Sequence, residues 1–363
     1  MTIGPGTRTA NFDARGIVVK VALIAPPFIA VPPADYGGTE LFVAQLAEGL
    51  QKAGIQVVVY ANGESTVNAE RRWRYESSQW PIKLDQYAWL KELDHTAWAV
   101  QDAAHICDVI HLQSPHGLAF SQFVQASVIC TLHGPHDSKV SQFYARYPQV
   151  NYVAISKFQC SQESMPRMTT VHHGIDLSQY QLYETKQQYL SFIGRIAPLK
   201  GTHLAIDVAK RAGIPLKIAG DIQPMYRDYF EAKIKPQLDG NFIEYVGLAD
   251  IKAKNELLGN SMAMLFPIQW NEPFGLVMLE AMACGTPVLA LPGGSVAEIV
   301  QEGVSGYVCR SVSQLAKRVQ DLHISPRDLR QYVQENFSLE RMVGNYVSVY
   351  KDAQTQGSAP RVA

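Results

Sequence analysis

Short apolar runs that alternate with segments of helical periodicity dominate the chain after residue 16. Residues 17–25 are rich in β-branched side chains and show no polar alternation, which predicts a strand buried on both faces. Beyond a proline-rich loop, apolar residues recur at helical spacing from Val43 to Ala53, and Gly54 ends this predicted helix. Further buried strands are predicted at residues 55–60, 109–113, 128–132 and 151–155. Strands and helices that alternate in this way predict a parallel sheet built from crossover units.

The same alternation starts again at Leu190, with a helix that ends at Gly213. Strands of this second region are predicted at residues 190–194, 215–220, 242–246, 262–266 and 287–291. The predicted fold class is therefore α/β, with two Rossmann-like parallel-sheet domains that face each other across a cleft. The predicted parts are a mobile leader (1–16), a first domain (17–176), a linker (177–189), a second domain (190–338), and a C-terminal helix that crosses back to the first domain and ends in a tail (339–363).

The composition narrows the class of protein. With 32 basic and 33 acidic residues among 363, the net charge is −1, which argues against nucleic acid as the main partner. The apolar stretch at residues 17–31 is interrupted by Lys20 and two adjacent prolines, so it does not predict a membrane span. The five cysteines are scattered without a C-x-x-C pair, which is typical of reduced thiols in a cytoplasmic protein: Cys107, Cys130, Cys160, Cys284 and Cys309.

The most informative segment predicts a helix from about residue 274 to residue 284, with Pro273 in its first turn and Gly285 just past its end. The N-terminus of such a helix presents free N–H groups and the positive end of the helix dipole, which suit a phosphate. Glu272 lies just before that end and Glu280 lies inside the helix. Carboxylates on both sides of a phosphate-binding helix N-terminus suit a nucleotide sugar, because this ligand has hydroxyl groups on both sides of its diphosphate. The alternative is that Glu272 only caps the helix and Glu280 is solvated.

Two cations follow the first strand of the second domain. Arg195 offers a planar fork of donors and Lys200 a point charge, and together they suit a diphosphate. Taken alone, such loop cations are more often solvated surface residues. Further along, Ser295 and Glu298 have the spacing of a capping box, so Glu298 is predicted to be a structural residue.

The first domain contributes weaker candidates. Gly37 and Gly38 precede a predicted helix and allow close approach to a phosphate, although a plain helix-entry turn explains them equally. His133 follows the strand predicted at residues 128–132, and with His136 it forms an H-x-x-H pair. No third ligand accompanies this pair at a suitable spacing, so no metal is predicted. The basic-aromatic cluster from Arg71 to Trp80 is predicted to touch an acceptor or an anionic membrane surface, or to be an exposed loop.

The segment from Glu272 to Glu280 resembles the E-x7-E motif of the family 4 retaining glycosyltransferases, which have the GT-B fold. The resemblance implies that Glu272 contacts the donor sugar and Glu280 the ribose hydroxyls. It also implies that backbone amides of the intervening residues Phe274, Gly275 and Leu276 approach the sugar and the phosphate.

The resemblance extends to the other candidates. The family's G-R-…-K-G element, which holds the diphosphate, matches Arg195 and Lys200, and its Gly-Gly-x-Glu element matches residues 37–40. It further implies that His133 contacts the donor sugar near the β-phosphate. His172 and His173 depart from the family's Pro-Asn-Gly-x-Asp pattern, so no ligand role is predicted for them, and Gly174 is predicted to act as a hinge.

The predicted activity is transfer of a hexose from a nucleotide-diphosphate sugar to an acceptor hydroxyl with retained configuration. A UDP-sugar is the favoured donor and a GDP-sugar is the second choice. No cofactor or metal is expected. The acceptor, whether a saccharide, a lipid-linked molecule or a small molecule, is left open. The predicted catalytic residues are His133, Arg195, Lys200 and Glu272, and the predicted donor-binding residues are Gly37, Gly38, Arg195, Lys200, Phe274, Gly275, Leu276 and Glu280. A nucleotide-sugar epimerase and a non-catalytic nucleotide-sugar binder remain as alternatives.

Overall fold

The computed structural model describes residues 20–34, 37–79 and 85–357. The predicted leader, the start of the first predicted strand, Trp80 and the end of the predicted tail lie outside the described residues. The described chain forms two compact units. Unit 1 contains the residues up to Ala154 together with residues 163–171 and those from Val343 onward, and unit 2 contains residues 155–162 and 172–342.

The strands within the described residues are β1 (Lys20–Ile24), β2 (Gln56–Ala61), β3 (Glu70–Trp73), β4 (Val109–Leu112), β5 (Ser127–Leu132), β6 (Asn151–Ala154), β7 (Met168–Thr170), β8 (Leu190–Ile193), β9 (Leu216–Ala219), β10 (Ile243–Gly247), β11 (Ala263–Phe266), β12 (Val288–Ala290) and β13 (Gly306–Val308). The helices are α1 (Gly38–Lys52), α2 (Gln86–Ala103), α3 (Ser138–Tyr144), α4 (Lys157–Ser161), α5 (Thr202–Ala212), α6 (Arg227–Tyr229), α7 (Ile251–Gly259), α8 (Leu276–Ala283), α9 (Val296–Ile299), α10 (Val312–Val319), α11 (Pro326–Phe337) and α12 (Leu339–Gly357).

Both units are built on parallel sheets, as the sequence predicts. The sheet of unit 1 has the order β3-β2-β1-β4-β5-β6-β7, and that of unit 2 has the order β10-β9-β8-β11-β12-β13. In unit 2, one apolar cluster packs α8 and α11 against the sheet, and a second cluster packs α5 and α10 against it. Because helices cover both faces, the strands are continuous apolar runs rather than alternating ones.

Each sheet reverses its strand order at one point, and the loops that follow the strands there lie next to each other. In unit 1 this point lies between β1 and β4, and in unit 2 it lies between β8 and β11. Ligands of open parallel sheets bind outside the carboxyl ends of strands at such a reversal. Residues 194–201 follow β8 and residues 267–275 follow β11, so the topology brings the predicted cations and Glu272 to one place.

Two predicted peripheral segments, the linker (177–189) and the C-terminal helix, pack into the two units. The segment predicted as a linker contributes the buried Tyr180 to unit 2, where its hydroxyl reaches Glu280. The C-terminal residues from Val343 belong to unit 1, where the hydroxyls of Tyr346 and Tyr350 contact Thr131 and His111. Helix α12 continues to Gly357.

Candidate functional site

The strand reversal of unit 2 joins two of the predicted site residues. The Lys200 Nζ atom lies 2.5 Å from Oε2 of Glu272, and the two side chains are 17% and 9% exposed. Gly201 makes this approach possible, because any Cβ there would collide with the carbonyl group of Pro267 on the opposite loop. A hydrogen bond from the Gln269 amide to the Leu199 carbonyl, 2.7 Å long, holds the same two loops together.

Trp270 completes this arrangement and was not predicted. Its indole Nε1 donates to Oε2 of Glu272 at 2.9 Å, and Lys200 Nζ lies 4.8 Å from the centre of its ring. Both donors therefore bind the same carboxylate oxygen. Among the described residues, no donor binds the other oxygen, Oε1.

The helix that follows Glu272 begins later than predicted. Helix α8 starts at Leu276, so Pro273 and Phe274 precede it rather than forming its first turn. Gly275 is the N-cap of α8 and has a φ of 87°, a left-handed backbone conformation that favours glycine. The first N–H groups of α8 have no acceptor within the helix, so its start remains able to bind an anion.

A serine anchors the loop before α8. The Ser295 hydroxyl donates to the carbonyl oxygens of Glu272 and Phe274 at 3.1 and 2.8 Å, and the Ser295 amide also donates to Glu272. The predicted capping box is therefore wrong, since Ser295 does not cap its own helix. Its hydroxyl instead satisfies carbonyl groups of the loop that carries Glu272.

Glu280 lies inside α8 and is 5% exposed. Its Oε1 accepts hydrogen bonds from Lys254 Nζ and from the Tyr180 hydroxyl, both at 3.0 Å. Burial, with the neighbouring Glu280 charge, raises the pKa of Tyr180 well above its usual value, so the hydroxyl remains a donor. Neither Lys254 nor Tyr180 was predicted from the sequence.

Arg195 follows β8 and is half-buried. Its Nε atom is buried and has no acceptor among the described residues. Buried N–H groups are nearly always paired, so this guanidinium has an unmet capacity for an anion.

The candidates of unit 1 lie at the carboxyl ends of its strands. Gly37 precedes α1 and Gly38 begins it. The Nε2 atom of His133 lies 2.9 Å from Oε1 of Gln113, and the His133 ring packs edge-on against Phe42. Burial lowers the pKa of His133 to about 4, so the imidazole is neutral at pH 7.

Glu40, in the first turn of α1, is 5% exposed. Burial raises its pKa to about 7, a hydrogen bond from backbone N–H opposes this rise, and the nearby Glu92 charge adds to it. This carboxyl therefore gives up much of its charge near neutral pH.

The remaining histidines serve packing and local contacts. His136 pairs with Glu163 at 2.9 Å rather than with His133. His172 Nε2 donates to Oε2 of Glu298 at 2.9 Å, and the ring of His173 packs edge-on against Phe274.

Glu298 has a structural position, although not the predicted one. Its carboxylate accepts hydrogen bonds from the amides of Lys157 and Phe158, at 2.7 and 2.6 Å, and so caps α4. Contact with His172 and these amides lowers the pKa of Glu298, although burial opposes this effect.

The basic-aromatic cluster lies at and beyond the edge strand β3. Arg71 donates to the Ser65 carbonyl, Arg72 pairs with Glu70 and Asp102, and Arg74 pairs with Asp94. Carboxylates thus balance two of its arginines, and its predicted contact with an acceptor or membrane stays a prediction.

Neither a metal-binding cluster nor a membrane-spanning helix is present among the described residues. They contain no group of three or more His, Cys, Asp or Glu side chains arranged to hold a metal ion. None of the described helices combines the length and the apolar character needed to cross a membrane.

Two family models match the chain. The model described as Glycosyltransferase Family 4 matches residues 36–179, and the model described as Glycosyl transferases group 1 matches residues 176–338. Among curated proteins, the glycogen synthase of Mycobacterium tuberculosis (strain CDC 1551) is 25% identical over 396 residues, which cover 91% of this chain and 94% of the relative.

Solved structures share the fold. Sucrose-phosphate synthase from Thermosynechococcus elongatus matches with a TM-score of 0.78 at 18% identity, covering 93% of this chain and 100% of the other. HepE of Anabaena, solved in complex with UDP and glucose, matches with a TM-score of 0.71 at 16% identity, covering 92% and 100%.

Proposed function

The chain belongs to the glycosyltransferases of family 4 with the GT-B fold, and from this premise we propose that it transfers a hexose from a UDP-hexose to an acceptor hydroxyl with retained configuration. A GDP-hexose is the second candidate for the donor. UDP is preferred because a structural neighbour, HepE, was crystallised with UDP and glucose.

The observation that carries the proposal is the pairing of Lys200 with Glu272 directly before the start of α8. The Lys200 ammonium and the first N–H groups of α8 suit a diphosphate, and the Glu272 carboxylate suits the hydroxyl groups of a sugar. Arg195, with its unpaired Nε, extends the positive region on the β8 side.

Catalysis in this proposal rests on charge stabilisation. The bond between the anomeric carbon and the diphosphate oxygen breaks, and Arg195, Lys200 and the α8 amides stabilise the negative charge that grows on the leaving diphosphate. The acceptor oxygen bonds to the anomeric carbon and gives its proton to the leaving phosphate oxygen. Because these side chains supply the positive charge, the proposal requires no cofactor.

Glu280 is proposed to bind the ribose. Lys254 and Tyr180 both donate to its Oε1, and only Lys254 also reaches Oε2, at 3.3 Å. The carboxylate is thus held in place while Oε2 retains capacity for a ribose hydroxyl. The roles that the resemblance implies for Gly37, Gly38 and His133 stay predictions.

We also propose the cytoplasm as the compartment. All five cysteines are free, and four of them are buried, which fits reduced thiols.

The test has two stages. Thermal-shift titration with UDP, GDP and their hexose conjugates identifies the donor, because a ligand that binds the native state raises the melting temperature as its concentration exceeds Kd. The selected donor is then incubated with an acceptor panel, and nucleotide release is measured for the wild type and for Lys200→Met.

Acceptor-dependent release that Lys200→Met abolishes supports the proposal. An isomerised nucleotide sugar formed without acceptor would replace it with the epimerase. Donor binding without release across the panel would replace it with the binding protein.

A further inference from the structure

The carboxylate of Glu272 is held by one oxygen only. Lys200 Nζ and the indole Nε1 of Trp270 both reach Oε2, at 2.5 and 2.9 Å, whereas Oε1 accepts no hydrogen bond from the described residues. Glu272 is 7% exposed, so these two contacts hold a mostly buried carboxylate. The two oxygens of this buried group are therefore not equivalent.

The two donors differ in what they do to the charge of Glu272. Lys200 neutralises it, and the same ammonium group is the one that a diphosphate attracts. When Lys200 turns its hydrogen bonds toward a diphosphate, the indole N–H is left as the donor to Oε2 among the described residues. A neutral N–H orients a carboxylate without cancelling its charge, so Glu272 remains a strong acceptor for a sugar hydroxyl.

Trp270 also guides the ammonium group. Lys200 Nζ lies 4.8 Å from the centre of the indole ring, a distance at which the ring face attracts a cation. One side chain thus contacts both members of the ion pair. The ring keeps Lys200 near the loop, and the N–H keeps Glu272 in a single orientation.

We propose that Trp270 is a positioning residue that fixes Glu272 through Oε2 and leaves Oε1 for a hydroxyl of the donor hexose. This inference rests on the proposed function, because it names the support for the sugar-binding carboxylate of that same site. It assigns Trp270 to recognition of the sugar and not to binding of the nucleotide.

Trp270→Phe tests the assignment, because it keeps an aromatic ring for Lys200 and removes only the N–H donor. We expect kcat/KM for the nucleotide sugar to fall about tenfold or more, the scale of losing one hydrogen bond to a charged group. The Kd of the free nucleoside diphosphate, which lacks the hexose, should stay within about twofold of the wild-type value by calorimetry. In a Glu272→Gln background, Trp270→Phe should add little, because the two residues act as one unit.

Two further variants separate positioning from general packing. Trp98→Phe, on α2 in unit 1, makes the same substitution where the ring packs against Tyr60 and should leave both measurements unchanged. Trp270→His restores a ring N–H and should recover part of the activity that Trp270→Phe loses. If Trp270→Phe does not fold, Trp270→Leu, which also lacks the N–H donor, replaces it as the test variant.

The outcomes distinguish this inference from the function on which it rests. A wild-type protein that neither binds nor turns over a nucleotide sugar overturns the proposed function and this inference together. An active wild type with undiminished kcat/KM in Trp270→Phe overturns this inference alone. An equal loss of nucleoside diphosphate affinity and sugar transfer also overturns it, because that result assigns Trp270 to the loop as a whole.

Discussion

The titratable side chains at the carboxyl ends of the two sheets have different electrostatic surroundings. In unit 2, Glu272 pairs with Lys200 and Glu280 pairs with Lys254, and all four side chains are mostly buried. In unit 1, the corresponding groups are shifted toward their neutral forms by burial, with the pKa of His133 lowered to about 4 and that of Glu40 raised to about 7.

The difference shows how a protein keeps or loses charge beneath its surface. Burial favours the neutral form of a titratable group, and an opposite charge in contact with it favours the charged form. The groups proposed to stabilise a diphosphate, Arg195 and Lys200, belong to unit 2.

The largest expected effect is at Arg195. Its unpaired Nε makes it the residue of unit 2 with the most to gain from an anion, so Arg195→Ala should lower kcat/KM about 10- to 1000-fold. Steady-state kinetics with the identified donor provide the measurement. Arg211→Ala is the matched control, since Arg211 is an exposed arginine that pairs with Asp207. Near-normal turnover in Arg195→Ala would contradict the assignment of charge stabilisation to this residue.

The second effect is on stability and belongs to Glu40. A carboxyl whose pKa is raised from 4.5 to about 7 in the folded state stabilises that state when protonated, and the contribution is lost as the pH rises through 7. Glu40→Gln should therefore gain stability relative to the wild type between about pH 4 and pH 8, by on the order of 3 kcal/mol.

Urea unfolding at several pH values measures this change. Glu48→Gln, at an exposed glutamate on the same helix α1, should follow the wild type across the range. Parallel stability curves for the wild type and Glu40→Gln would show that Glu40 remains charged when folded.

The smallest expected effect concerns His133, whose titration should not appear in the pH profile of kcat/KM. Because the pKa of His133 lies near 4, kcat/KM should contain no titration of this residue between about pH 5.5 and pH 8. The pH profile of the wild type is compared with that of His133→Gln. A limb near pH 6.5 that disappears in the variant would mean that His133 becomes charged in the working enzyme, and it would contradict the lowered pKa of this residue.

The strands show which part of the fold can be predicted from sequence. Strands with neighbours on both sides, such as β4 and β5, are continuous apolar runs, and they were predicted to within one or two residues. The strands that were missed, β3, β7 and β13, all lie at sheet edges. An edge strand is paired on one side only and needs less apolar sequence, so its pattern resembles that of a loop.

The site divides in the same way. Glu272, Glu280 and the glycine between them lie in one short segment, so their spacing could be recognised directly. Tyr180, which contacts Glu280, lies a hundred residues upstream, and no local pattern connects the two. Trp270 is only two residues from Glu272, and its indole N–H donates to that carboxylate. Hydrophobic periodicity does not apply in a loop, so nothing in the sequence distinguishes Trp270 from any other aromatic residue.

By itself, the sequence determined that the chain forms two parallel α/β units and that acidic and basic groups accompany the start of one helix, because periodicity and short motifs depend on local order. The tertiary structure alone decided which charge pairs with which. The adjacency of β8 and β11 places Lys200 against Glu272, and burial shifts the pKa values of Glu40 and His133 toward their neutral forms. Both results depend on distance and desolvation in three dimensions, and neither is encoded in the spacing of residues along the chain.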